Sequence, residues 1–356
     1  MDSFNIISLM SGTSLDGVDI AFATYKQENT QKWSYDLHAC KTYDFPEILL
    51  SSLHEAHVLA GSQLMSLDHE LALFFAHCIE TFIVENKIDK KTIHAIASHG
   101  QTIFHQPSKG YTTQIGNPAV VAVKTGIQTI GDFRTKDVLY NGQGAPLVPI
   151  GDHYLFREKA DGFINIGGFA NISLVANSKI IAFDICPANI VLNKLARSKN
   201  QPYDRNGEMA RSGELNFFLL DLLNSLDFYK NEAPKSLGTE WLEQHFLPLL
   251  KFDKEIENNL ATLVEHIAIQ LGDTCAKHNL KKVMITGGGA KNTFLIERFK
   301  RYYTGEIITV SNELIEFKEA LIFGLLGALH LLGQPNCLAS VTGATKDVCG
   351  GVLHQP

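Results

Sequence analysis

The chain has 356 residues, 45% hydrophobic and 19% charged, which is enough for two cores of ordinary domain size and excludes both a lone small module and a disordered chain. Thirty-one Lys and Arg against 38 Asp and Glu give a net charge of −7, a sign that repels nucleic acid and anionic membrane, and no basic run overrides it. Acid at Asp2 and a turn at Ser11-Gly12 argue against a secretory leader, and residues 320–332, the most hydrophobic stretch, are too short for a bilayer and include His330.

Residues 5–10 read as a strand, residues 11–17 as a glycine-bearing turn and residues 18–24 as a second strand, so the chain opens on a β-hairpin. An amphipathic helix follows over 62–87, then a strand over 95–98 and a long glycine-punctuated polar segment over 126–149. The opening pattern recurs with a strand at 162–166, a turn at 167–171, and strands at 172–175 and 180–183. One supersecondary unit is therefore expected twice. Beyond it the sequence predicts a helix opened by Pro187, helices over 239–250 and 255–278, a strand over 282–285, a helix over 312–332 and a loop-rich tail. Alternating strands and helices argue an α/β architecture. The expected division is an N-terminal lobe over 1–128, completed by the tail 335–356, and a C-terminal lobe over 129–334.

The six cysteines, Cys40, Cys78, Cys186, Cys275, Cys337 and Cys349, are scattered without a Cys-x-x-Cys pair and predict reduced thiols in the cytoplasm. The histidines include no His-Glu-x-x-His, and His99 and His105 lack the spacing of a two-histidine metal site.

The first turn, Gly12-Thr13-Ser14-Leu15-Asp16-Gly17-Val18-Asp19, begins with Walker-type glycine spacing but has Val18-Asp19 where Lys and Ser or Thr belong, so it is not a P-loop. Its backbone N–H groups can form an anion nest, with Asp16 or Asp19 holding Mg²⁺ through water; it reads equally as a tight turn. A second glycine turn, Gly167-Gly168, allows a polyphosphate to be gripped by both hairpins. A third cluster, Gly287-Gly288-Gly289, exposes backbone at a strand's carboxyl end, where adenine or ribose can approach, or is simply a flexible connection. Asp184 ends a strand before Pro187 and serves either as a proton acceptor in a cleft or as a helix cap. Gln101, Arg134 and Gln143 sit on glycine-marked loops, where each can meet a ligand or satisfy local backbone. Glu319, among apolar helical residues, is either a surface acid or one turned into a cleft.

Together, the segment Met10 through Asp19, Ser98-His99-Gly100-Gln101-Thr102, Gly131-Asp132-Phe133-Arg134, Gly142-Gln143-Gly144-Ala145-Pro146, Asn165-Ile166-Gly167-Gly168 and Gly287-Gly288-Gly289-Ala290 resemble the anhydro-N-acetylmuramic acid kinase family, in order and along effectively the whole chain. The resemblance implies a two-lobed α/β fold of the actin and hexokinase ATPase type, with nucleotide in the cleft between duplicated lobes. It also implies a cytoplasmic enzyme of cell-wall recycling that uses ATP, Mg²⁺ and water to convert 1,6-anhydro-N-acetylmuramic acid to N-acetylmuramic acid 6-phosphate. Carried onto matching positions, residues 12–19 would hold ATP phosphates and Mg²⁺, Gly167-Gly168 the second phosphate loop, and Gly287 to Gly289 the adenosine. Asp184 would be the catalytic base, and Arg134, Glu319 and Gln101 the sugar contacts. A homodimer is compatible with this assignment.

The sequence departs from the family around the base, where Asp-Thr-Gly-Pro-Gly-Asn becomes Asp184-Ile185-Cys186-Pro187-Ala188-Asn189 and the acid further on is Asn193. A side chain at a position that needs positive φ costs roughly 1 kcal/mol, so a different loop geometry is expected here. Two other readings carry different signatures. A kinase or phosphatase of the same superfamily would act on another sugar or on polyphosphate, and an actin-like or chaperone-like ATPase would turn over ATP without sugar.

Overall fold

The computed structural model describes residues 2–12, 14–29, 32–252, 255–308 and 310–356. The chain divides into two units, one made of Met1–Phe156 with Phe317–Pro356 and the other of Arg157–Glu316.

In the first unit the strands are β1 (Ser3–Ser11), β2 (Val18–Asn29), β3 (Lys32–Tyr43), β4 (Ala95–Ser98), β5 (Gln101–Gln106), β6 (Tyr111–Ile115) and β7 (Thr129–Gly131). β1, β2 and β3 form an antiparallel meander; β1 then pairs in parallel with β4, and β4 in parallel with β7. β5 and β6 make a separate hairpin. Ile7 and Leu9 of β1 join Ile20 and Phe22 of β2 in a core capped by Leu71, Phe75, Ile79 and Phe82 from the helix Gly61–Glu85. The opposite face meets the helix Asn312–Leu331, whose Leu321 carbonyl accepts a 2.6 Å hydrogen bond from the Tyr25 hydroxyl. β1 is thus covered on both faces, which explains its nearly unbroken apolar run.

The second unit contains β8 (Gly162–Ile166), β9 (Phe169–Ala176), β10 (Lys179–Pro187), β11 (Lys282–Thr286) and β12 (Glu306–Ile308). β8, β9 and β10 again form an antiparallel meander, and β8 pairs in parallel with β11, β11 in parallel with β12. The strand order β10-β9-β8-β11-β12 repeats β3-β2-β1-β4-β7 of the first sheet, which gains an edge strand, β13 (Val352–His354), antiparallel to β7. The duplication read from the two hairpins therefore extends through five strands of each sheet. Leu263, Val264, Ile267 and Leu271 of the helix Ile256–Lys277 pack on Ile164, Ile172 and Val283 to build the second core.

The boundary at Phe156 lies later than the one expected at residue 128, because residues 129–156 belong to the first unit and open with a strand of its sheet. β7 pairs with β4, and Phe156 packs edge-on against Tyr35 of β3 at 5.5 Å. The second boundary falls at Glu316, within the helix Asn312–Leu331, instead of at residue 334. The helix expected to open at Pro187 begins at Asn189; Pro187 instead ends β10 opposite Phe169. Residues 239–250 form a short helical turn, a π turn and a 3₁₀ segment, since Pro248 cannot donate the hydrogen bond a continuous helix needs. Among the described residues no helix is long and apolar enough to cross a membrane.

Gly324 gives a direct test of the helix-to-sheet packing. A Cβ there would lie 2.2 Å from the buried Tyr25 hydroxyl. Gly324→Ala is expected to destabilise the protein by about 1–3 kcal/mol through overpacking. Urea unfolding followed by tryptophan fluorescence measures it; an unchanged midpoint would mean that Tyr25 moves aside without cost.

Candidate active site

In the first unit the turn between β1 and β2 is braced from within. Leu15 N–H donates to the Gly12 carbonyl at 3.2 Å, and Ser14 Oγ donates to Asp16 Oδ1 at 2.8 Å. Asp19 accepts from Thr42 Oγ1 at 2.5 Å, and Gly17, at φ +143°, has no room for a Cβ beside Thr42. Val18 is buried in the core, so only its backbone faces the turn. Thr13 lies outside the described residues.

Parallel pairing of β1 with β4 sets Leu9 beside Ser98 and so delivers His99 and Gln101 to the end of β1. Ser11 Oγ donates to Gln101 Oε1 at 2.5 Å, and the buried His99 donates from Nδ1 to the Ser11 carbonyl at 3.2 Å. His99 Nε2 accepts from Arg134 Nη2 at 2.8 Å and Nε at 3.1 Å, while Arg134 Nη1 donates to the Gly144 carbonyl at 2.7 Å. These partners fix His99 as a neutral imidazole. Burial first, and the Arg134 charge second, push its pKa down to about 3.

Gly144 is held in turn by Asp137, whose fully buried carboxylate accepts from Gly144 N–H and from Thr342 Oγ1, both at 2.7 Å. A Cβ on Gly142 would come within 2.1 Å of that same carboxylate. Glu319, partly buried on the helix Asn312–Leu331, has its pKa raised chiefly by burial; Lys318 and Arg134 oppose the rise, and Asp152 and Asp16 add to it. Lys318 itself is buried and ion-paired with Asp152 at 3.0 Å. Gln101, Arg134 and Glu319 therefore stand in one polar assembly with Ser11, His99 and Lys318. Sequence reasoning set His99 aside once it failed the metal spacing; its place directly after β4 in Ser98-His99-Gly100-Gln101 was the available signal.

In the second unit Gly167-Gly168 joins β8 to β9, and its carbonyls anchor the next helix: Asn189 N–H donates to Gly167 O at 3.0 Å and Ala188 N–H to Gly168 O at 2.8 Å. Gly287, at φ +80°, and Gly289 pack against the end of β8, where Cβ atoms would fall 2.5 Å from Asn165 Oδ1 and 2.2 Å from Ile166 Cγ2. The two glycine turns thus adjoin at the carboxyl ends of parallel strands, the ordinary place for ligands in α/β sheets.

Asp184 sits on β10 just before a bulge. Its N–H donates to the Lys235 carbonyl at 3.0 Å, and its Oδ2 accepts from Leu237 N–H at 2.7 Å. Burial raises its pKa, with the Leu237 hydrogen bond pulling the other way. Ile185, Cys186 and Ala188 all keep negative φ, so the bulge accommodates the side chains that replace the family's smaller residues. Cys186 is fully buried in the core and its thiol pKa is pushed far up by burial.

His99 and His266, the latter also lowered to about 3 by burial, make stability depend on pH. Between about 6.5 and the native values the unfolded chain binds protons that the native chain refuses, so stability falls as pH falls through that window. Each histidine contributes at most about 1.4 kcal/mol per pH unit. His99→Gln should make the decline in unfolding free energy between about pH 6.5 and 4 shallower by up to that amount. Parallel slopes for the two proteins would mean that His99 is charged in the native state.

The family described as anhydro-N-acetylmuramic acid kinase matches residues 4–356. The anhydro-N-acetylmuramic acid kinase of Sulfurovum sp. (strain NBC37-1) is 35% identical, covering 99% of this chain and 99% of its own. That of Pasteurella multocida (strain Pm70) is also 35% identical, covering 98% of this chain and 96% of its own. Among solved structures, the ROK hexokinase from Thermus thermophilus is 12% identical with a TM-score of 0.42, covering 91% of this chain and 100% of its own. Matched from residue 4 to its end by the family and by relatives of its own length, the chain belongs to the anhydro-N-acetylmuramic acid kinase family.

Proposed function

We propose that the chain is a kinase that opens 1,6-anhydro-N-acetylmuramic acid with water and transfers the γ-phosphoryl group of ATP to the freed O6. The products are N-acetylmuramic acid 6-phosphate and ADP. Full-length membership of one family leaves a phosphatase or a kinase for another sugar without support. The observation that carries the site assignment is a contrast among the glycines. Gly12, Gly168 and Gly288 have no forced φ, and a Cβ on them would meet nothing nearer than 3.5, 3.7 and 3.6 Å. The fold does not require glycine at these three positions, one in each loop. A ligand that approaches the backbone closely does.

In this reading the turn from Gly12 to Asp19 and the Gly167-Gly168 turn present N–H groups to the phosphates, and Gly287 to Gly289 face the adenosine. Asp16 and Asp19 are hard oxygen donors, and among the described residues no group of three or more His, Cys, Asp and Glu is placed to enclose a metal. That set fits Mg²⁺ held through its own waters. The ion, when bound, supplies charge neutralisation to the phosphates. Arg134 is anchored by His99 and Gly144 with guanidinium N–H groups to spare for the sugar's carboxylate. Glu319 and Gln101 complete the sugar contacts. ATP, the amino sugar and a second copy of the chain are the partners, and the six free cysteines fit the reducing cytoplasm.

The substrate's chemistry dictates the order of events. O6 is tied to C1, so no hydroxyl is free for an ordinary kinase. Water attacks C1 and gives a proton to Asp184, the C1–O6 bond breaks, and O6 takes the phosphoryl group as ADP leaves. Raised by burial yet oriented through one oxygen, Asp184 is suited to accept that proton.

Two variants should separate binding from chemistry. Asp184→Asn is expected to keep ATP affinity while turnover falls about 10²–10⁴-fold. Gly288→Val is expected to weaken ATP binding about tenfold or more, with folding intact. Calorimetry and ADP release measure both, and near-normal turnover in folded Asp184→Asn removes the base from the mechanism. In ¹⁸O-labelled water, analysed before the hemiacetal exchanges, label should enter C1 and not the phosphate. Label on phosphate would mean that water attacked phosphorus, and the kinase reading would fall.

A further inference from the structure

The registers of the second sheet line up four polar side chains across four strands. Asp184 of β10 pairs with Asn171 of β9, Asn171 with Asn165 of β8, and Asn165 with Thr286 of β11. Residues on either side of this row, Ile164, Ile166, Ala170, Ile172, Phe183, Ile185 and Ile285, all enter the core. Strand alternation therefore places the row on the other face. Asn and Asp are poor strand formers, and three of them stacked in register is a costly choice for a sheet that otherwise selects Ile, Val and Phe.

Among the described residues nothing uses these groups up. Asp184, Asn171 and Asn165 are each only half-buried. Among the described residues neither asparagine carboxamide has a hydrogen-bond partner, and Asp184 has one only at Oδ2. The Thr286 hydroxyl is buried with no partner at the far end of the row. The Asn165 carboxamide stands between the two glycine turns, its Oδ1 2.5 Å from where a Gly287 Cβ would be and its Nδ2 3.4 Å from the same point on Gly167.

We propose that Asn171 and Asn165 are further catalytic residues that act along this row with Asp184. The proposal rests on Asp184 being the base. The attacking water has two hydrogens and must aim a lone pair at C1. It donates one hydrogen to Asp184, which takes that proton as C1–O bonding proceeds, and the other to Asn171 Oδ1, which takes no proton and only fixes the water's orientation. Asn165, between the turns, donates to the phosphate chain of ATP. An amide is required at both places, since a carboxylate would repel either the ionised base or the phosphates.

The experiment uses the full-length enzyme with 1,6-anhydro-N-acetylmuramic acid and MgATP. Asn171→Ala should lower kcat about 10- to 100-fold with the KM for ATP unchanged. Asn171→Asp, of equal volume, places a second carboxylate beside Asp184. It should move the acid limb of the kcat/KM profile up by about one pH unit or more. Burial and the Leu237 N–H set the reference limb, and they and the neighbouring titratable groups, Cys186 and Lys235, are unchanged in these variants. Asn165→Asp should instead raise the KM for ATP about tenfold or more. Full turnover in Asn171→Ala, or an unmoved limb in active Asn171→Asp, overturns the proposal. Asp184→Asn run in parallel separates the two ideas: if it abolishes turnover while Asn171→Ala does not, only the role of the asparagines fails.

Discussion

Both units depend on the parallel pairing between the first strand of the meander and the strand that returns after a crossover. Parallel strands end at the same edge of the sheet, so whatever follows each of them is delivered to one place. Pairing of Leu9 with Ser98 brings His99 and Gln101 to the end of β1, and pairing of Asn165 with Thr286 brings Gly287 to the Gly167 turn. Residues separated by about a quarter to a third of the chain become neighbours without any long-range design beyond strand register. A slip of one residue would turn Asn165 and Thr286 into the core and send isoleucines toward the ligand face.

Within that frame the glycines divide into two kinds. Gly17, Gly287 and Gly289 are demanded from inside, by positive φ or by a neighbour that leaves no room. Gly12, Gly168 and Gly288 are not demanded by anything among the described residues. The first kind makes a rigid turn, and the second kind uses that rigidity to bring backbone donors close to an anion. A flexible loop would have to be ordered on binding, at a conformational cost these braced turns have already met in folding.

The hairpins and the three glycine clusters were legible in the sequence because alternation and turn residues are local signals. Asp184 was legible as an acid on a strand, although β10 runs on past it to Pro187 instead of ending there. What escaped depended on distant pairing. β7 is only three residues long and is a strand because β4 lies beside it, so residues 129–156 gave no sign of belonging to the first unit. Trp241, Leu242 and Phe246 have helical spacing, but Pro248 breaks the continuation. His99 has a visible motif around it, yet its role as a neutral acceptor for Arg134 requires the fold. The row from Asp184 to Thr286 is likewise invisible until three registers are known.

The two units tune their carboxyl groups by the same device. Asp184 and Glu319 are both raised by burial, and each rise is opposed by a specific partner, the Leu237 N–H for Asp184 and the Lys318 and Arg134 charges for Glu319. Burial without a partner would leave a protonated acid with no capacity to accept a proton; a strong ion pair would leave a carboxylate too stable to want one. A single backbone donor is the intermediate case. It comes from the segment 235–237, whose Lys235 carbonyl also holds the Asp184 main chain, so the segment that opposes the rise at Asp184 also fixes its direction. Replacement of threonine by Ile185 and of glycine by Cys186 and Ala188 in the neighbouring loop is tolerated because it leaves that clamp untouched.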